Sequence, residues 1–113
     1  MSRRPPTALR LEKAASLFAA LGDETRLTLV SRLGTSGPLS TTRLTEGGQI
    51  SRQAVTKHLE VLAGAGLVRD ERQGRERLWV VETDRLTEGR RYLDAISSQW
   101  DGALARLRAL VED

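Results

Sequence analysis

The side chains with the most chemical content lie between positions 40 and 58. Ser40 and Thr41 open one short segment, and Ser51, Arg52, Gln53, Thr56, Lys57 and His58 open a second. These are the residue types that bond base edges: a guanidinium matches the two acceptors of guanine, and a carboxamide matches the donor and acceptor of adenine. Slightly further on come Arg69, Arg72, Arg75 and Arg77. Guanidinium is a planar fork that can bond two phosphate oxygens at once. The two sets together could read and grip DNA. Asp70, Glu71 and Glu76 dilute the second set, which alone would equally suit a solvated surface.

Other chemistries find little support. The chain has no cysteine and a single histidine, His58. That leaves no thiolate metal site, no disulfide, no cysteine nucleophile and no triad, so an enzyme is not expected. His58 can pack uncharged on its helix, the favoured role, or approach a phosphate. No glycine-rich loop follows a strand-like run, so a nucleotide cofactor is not expected either.

The elements that must hold these groups can be read from the segment LSTTRLTEGGQISRQAVTKHL, residues 39–59. Ser40 is a good N-cap, because its hydroxyl can accept from a first-turn amide that has no helical partner. Leu39 and Leu44 are spaced as a hydrophobic staple across that cap. The pattern recurs with Ser51 as cap and Ile50 and Val55 as staple. Gly47 and Gly48 stop the first helix. Ile50, Ala54, Val55, Leu59, Leu62 and Ala63 form one apolar face of the second. Its polar front lies near the N-terminus, where free amides and the helix dipole favour phosphate. Gly64 and Gly66 end it. Val68 and Leu78, Trp79, Val80 and Val81 are strand formers, and Gln73-Gly74 is a candidate hairpin turn. A helix, a turn, a reading helix and an arginine-studded hairpin outline a winged helix-turn-helix.

The chain has 113 residues, a formal charge of +3 and a pI of about 10.2. One domain with a modest core is expected, and the charge is compatible with an anionic partner. No apolar run reaches the ~20 residues needed to span a bilayer, and no secretory pattern is present. The expected setting is cytoplasmic, without membrane. Residues 1–8, with Arg3, Arg4, Pro5 and Pro6, read as a flexible basic arm ahead of a winged-helix domain at 9–113. A first helix is predicted over about 9–21, with Leu11, Ala14, Ala15, Leu17, Phe18 and Leu21 apolar. A second runs from its cap Asp23 to about Leu33 and buries Leu27, Val30 and Leu33. Residues 35–38 form a loop. The expected fold is mostly α with a small β-hairpin: five helices plus a two-stranded wing.

The closing segment, about 84–111, carries a separate message. Leu86, Leu93, Trp100 and Leu107 are spaced by seven, and Gly89, Ile96, Ala103 and Leu110 form a second such row. Leu104 and Val111 widen the stripe. A small domain has little core left to cover so long a stripe, so the seam predicts pairing with a second copy. The expected interface holds Phe18, Leu86, Leu93, Ile96, Trp100, Leu104 and Leu107. The alternative is a terminal helix folded back on its own domain.

The runs ALGDETRLTLVSRL, ISRQAVTKHLEVLAGAGLV and RQGRERLWVV, with the long closing helix, resemble the ArsR/SmtB family of winged-helix repressors over about residues 14–110. The resemblance implies a homodimer joined through the first and last helices, reading by residues 51–63, and backbone contact by the hairpin. It also implies a cytoplasmic regulator that represses its own operon. The metal-sensing branch carries a cysteine pair in the first helix of the reading pair, where this chain has Thr42, Arg43, Leu44, Thr45 and Glu46. The last helix has Asp84, Glu88, Asp94 and Asp101 but no histidine, and zinc prefers imidazole or thiolate to carboxylate alone. A metal-free branch is therefore expected. The expected partners are double-stranded DNA and a second copy, with a small-molecule effector left open. A protein-binding winged helix and a non-specific architectural DNA binder remain as alternatives.

Overall fold

The computed structural model describes residues 6–112, with side chains from residue 11 onward. The elements are α1 (Pro6–Leu21), α2 (Glu24–Ser36), β1 (Leu39–Ser40), α3 (Thr41–Thr45), α4 (Arg52–Gly64), β2 (Val68–Gln73), β3 (Glu76–Val81) and α5 (Thr83–Glu112). This is the winged helix-turn-helix architecture with its five helices. The sheet has three strands rather than two, in the order β1-β3-β2, all antiparallel. The added strand is only Leu39 and Ser40, pairing with Trp79 and Leu78. Two residues give no strand signal in a sequence.

The helix starts follow local chemistry. Asp23, Ser40 and Ser51 each accept from the amide three residues on, at 3.0, 3.1 and 3.1 Å. α1 begins at Pro6, three residues earlier than expected, because proline lacks only an amide that the first turn leaves unused. Residues 6–8 of the expected arm are therefore helical, and its residues 1–5, with Arg3 and Arg4, lie outside the described residues. α2 runs to Ser36, past the expected end at Leu33. Gly37 stops it at φ +79°, returning its amide to Leu33 O, and Pro38 follows.

The hairpin turn is Gly74-Arg75, one residue later than expected, since Gln73 pairs with Glu76. Gly74 has φ +65° and Arg75 does not share a positive φ, as a type II′ turn requires.

The core lies between α1, α2, α4 and the sheet, with Leu17, Leu59, Leu62, Leu67, Val55 and Trp79 fully buried. α2 buries Leu29, Val30 and Leu33, whereas Leu27 is 52% exposed. At 100° per residue Leu27 lies roughly a third of a turn from the mean direction of the buried three. On α4, Val55, Leu59 and Leu62 are buried, while Ile50 and Ala63 at the margins of the stripe are exposed.

α5 leaves the body of the molecule. Its 30 residues make a rod of about 45 Å. The Cα radius of gyration is 18.7 Å, against ~13 Å for a compact chain of this length. At its root Gly89 is buried against Leu17, where an added Cβ would meet Leu17 Cδ2 at 3.1 Å. Phe18 and Leu86 pack on the chain's own core, and Phe18 also meets Tyr92, ring centroids 6.5 Å apart. Beyond that root Leu93, Ile96, Trp100, Leu104 and Leu107 are exposed, Trp100 to 64%. Of the expected interface, Phe18 and Leu86 are thus partly buried on the protomer's own core, and the other five are exposed on the single chain.

Candidate nucleic-acid interface

Three elements build one face. Ser40 starts α3, and Arg32 on α2 closes its far end by donating to Leu44 O at 2.8 Å and Arg43 O at 3.0 Å. Trp79 on β3 donates through its indole N–H to Thr41 Oγ1 at 2.9 Å, which locks the sheet to the start of α3. α4 starts at its Ser51 cap beside them. Between α3, the front of α4 and the hairpin lies an open cleft of about 560 Å³. It is lined by Ser40, Thr41, Thr42, Arg43, Arg52, Thr56, Arg75, Glu76 and Arg77. Four guanidinium groups against one carboxylate make it an anion-attracting groove walled by hydroxyls.

Of the residues expected to meet DNA, the cleft gathers Ser40, Thr41, Arg52, Thr56, Arg75 and Arg77. Ser51, Gln53 and Lys57 are exposed on the front of α4 beside it. Arg72 lies across the ladder from Arg77, which puts both on one face of the hairpin. His58 is turned elsewhere: its Nδ1 lies 3.2 Å from Arg26 Nη1 and 4.0 Å from Asp23 Oδ1, on the α2 side. These contacts support its packed role over a phosphate contact. Thr42 and Arg43 were missed as lining residues. They follow the Ser40 cap directly, so the position of that cap was the available signal.

The wing's charges are not equivalent. Arg77 donates to Asp70 Oδ2 at 2.7 Å and stacks over Trp79 at 4.8 Å, so its head is held in place. Arg69 is tied to Glu71 and Glu82. The hydrogen bonds to these two acids hold it charged, pushing its pKa above the usual arginine value. Arg52, Arg72 and Arg75 form no ion pair among the described residues. The Thr56 hydroxyl donates to Arg52 O at 2.9 Å.

Comparison with known proteins fits this geometry. The sequence model of a family described as a helix-turn-helix domain matches residues 21–71. The HTH-type transcriptional regulator Rv2034 of Mycobacterium tuberculosis is 37% identical over 95 residues, covering 84% of this chain and 85% of the relative. The structure of an ArsR-like transcriptional regulator from Rhodococcus sp. RHA1 is 36% identical with a TM-score of 0.79, covering 88% of this chain and 93% of that one. The chain belongs to the ArsR family of helix-turn-helix transcriptional regulators. A possible transcriptional regulator for arsenical resistance is 35% identical with a TM-score of 0.65, covering 83% of this chain and 93% of its own.

This ArsR-family chain carries no group of three or more His, Cys, Asp or Glu side chains placed to hold a metal among the described residues. No helix among them is long and apolar enough to cross a membrane.

Proposed function

We propose that the protein is a cytoplasmic homodimer that binds an inverted repeat in double-stranded DNA and represses its own operon, with no catalytic activity and no resident cofactor. The observation that carries this reading is the cleft. Four arginines and the hydroxyls of two helix starts converge on one open groove beside the exposed front of α4. A protein-binding surface would be expected to offer apolar groups there. In this reading Arg52, Gln53 and Lys57 reach base edges in the major groove, and Arg72, Arg75 and Arg77 meet phosphate or the minor groove. The exposed seam from Leu93 to Leu107 supports pairing of two copies, which would set the reading helices about 34 Å apart, or a multiple of that.

The test is selection of duplexes from a randomised library, alongside the promoter region of the protein's own gene. Enrichment of an inverted repeat, also present in that promoter, is the expected result. Equal binding to all duplexes would replace the repressor with an architectural binder. Absence of any DNA binding would replace it with a protein-interaction module.

A further inference from the structure

Two arginines that do not line the cleft bridge α1 to α4. Arg85, in the first turns of α5, has a side chain only 17% exposed. Its Nε donates to Ala65 O at the C-terminal end of α4 at 2.9 Å, and its Nη2 donates to Lys13 O on α1 at 3.0 Å. Its remaining nitrogen pairs with Glu88 at 2.7 Å. Arg26, at the start of α2, repeats the arrangement further along. Its Nε donates to Ala20 O on α1 at 2.5 Å, and its Nη1 meets His58 Nδ1 on α4 at 3.2 Å.

Lys13 and Ala20 are seven residues apart on α1, about two helical turns. Each carbonyl is therefore joined, through one guanidinium, to a different point on α4. Lys13 O can accept from Arg85 while also serving its helix, because a carbonyl has two lone pairs. Ala20 O and Ala65 O lie at helix ends, where carbonyls lack helical partners. A guanidinium bridging two such acceptors resists both translation and rotation of one helix against the other, which a single contact does not.

We infer that Arg85 and Arg26 are positioning residues for DNA reading: they suspend α4 from α1 at two points, so the setting of the reading helix follows the packing of α1 and α5. The inference rests on the DNA reading proposed above, but it concerns residues that do not line the cleft. It also gives the histidine of the reading helix a task as acceptor for Arg26.

The experiment compares Arg85→Met, Arg26→Met and Arg85→Lys with the unaltered protein. Each is titrated with the duplex enriched by the unaltered protein and with a random duplex of equal length. Amide exchange is followed over residues 61–66, and sedimentation reports association. The Met variants keep the apolar stem and lose the bridge. Affinity for the enriched duplex is expected to fall about tenfold, on the scale of a hydrogen bond to a charged group. Affinity for the random duplex should stay within about twofold, and the association state should not change. Exchange at the end of α4 should quicken in Arg85→Met, with partial recovery in Arg85→Lys, which can reach one carbonyl. Unchanged affinity for the enriched duplex in both Met variants overturns the inference, as does an equal loss on both duplexes. Where Arg85→Met does not fold, Arg26→Met and Arg85→Lys carry the same comparison. If the unaltered protein enriches no duplex, the proposed function fails. The exchange pattern then decides the bridge on its own, and unchanged exchange at residues 61–66 sinks it.

Discussion

The indole N–H of Trp79 donates to the hydroxyl of Thr41 at 2.9 Å, across 38 residues of sequence. The ring behind that bond is 2% exposed. One side chain thus fills the space between the sheet and the helices while its polar edge fixes where α3 begins. It also fixes the wall of the cleft, since Arg77 lies over the same ring.

Trp79→Ala should be among the most damaging single changes, at roughly 3–5 kcal/mol for a buried large aromatic. Trp79→Phe keeps most of the volume but leaves Thr41 without its donor. Thr41→Val removes the acceptor from the other side, and each loses a hydrogen bond of about 1 kcal/mol. Urea unfolding of the three variants should rank them in that order, Ala far below the others.

Gly89 and Gly102 both lie in α5 and should respond oppositely to alanine. At Gly89 the new methyl meets Leu17, itself 1% exposed, at 3.1 Å. Overpacking of about 1–3 kcal/mol should outweigh the helix-propensity gain of about 1 kcal/mol. At Gly102 the methyl meets only the flexible end of Arg106 at 3.5 Å. Gly102→Ala should therefore raise the melting temperature and Gly89→Ala should lower it.

Leu93→Asp places a charge on the exposed seam without touching the protomer's core, since Leu93 is 53% exposed. Sedimentation across a dilution series should show the dimer lost while the circular dichroism of the winged body is retained. Unchanged association would remove the seam as the site of pairing.

Reading and anchoring should separate by mutation. Arg52→Ala or Gln53→Ala should relax discrimination at particular base pairs, by roughly 1–3 kcal/mol for a good bidentate contact. Arg75→Ala should weaken all sequences alike and reduce the salt slope by about one. Arg77→Ala should add a loss of stability, because it also removes the pairing with Asp70 and the stacking on Trp79. A salt series on enriched and random duplexes checks all four.

Acid should loosen the start of α2 first. The amide of Arg26 bonds the Asp23 carboxylate, and the charge of Arg26 assists, holding its pKa below the ordinary aspartate value. A depressed folded pKa contributes stability that is present above the unfolded value of about 4 and is lost as pH falls through the folded value. Asp23→Asn keeps an acceptor for the cap but has no proton to take up. Its melting temperature should accordingly lose less than that of the unaltered protein as pH is lowered through and below about 4.

Much of this molecule was legible because its signals are local. Ser40, Ser51 and Asp23 cap helices within three residues of themselves, and the seam on α5 repeats along one helix. The charged residues were harder to place. Arg26, Arg32 and Arg85 carry no role that their spacing announces, yet each bonds the backbone of another element. Arg85 reaches a partner 72 positions away, and no spacing rule announces such a pairing. The same holds for β1, whose two residues become a strand only because Trp79 and Leu78 lie beside them. Leu27 was misplaced for a different reason: the apolar residues of α2 spread over an arc of roughly 160°, and the packing buries one side of that arc and leaves Leu27 at its open edge.

The sheet also governs how copies of this chain can fail to aggregate. β3 is paired on both sides, which leaves only two open margins. One is β1, too brief to template another strand. The other is β2, where only Val68 is buried and residues 69–73 are exposed and either charged or polar. An incoming strand would have to desolvate that row of charges before gaining its backbone bonds. Growth of the sheet from molecule to molecule is therefore disfavoured at both margins, even at the high local concentrations reached during synthesis.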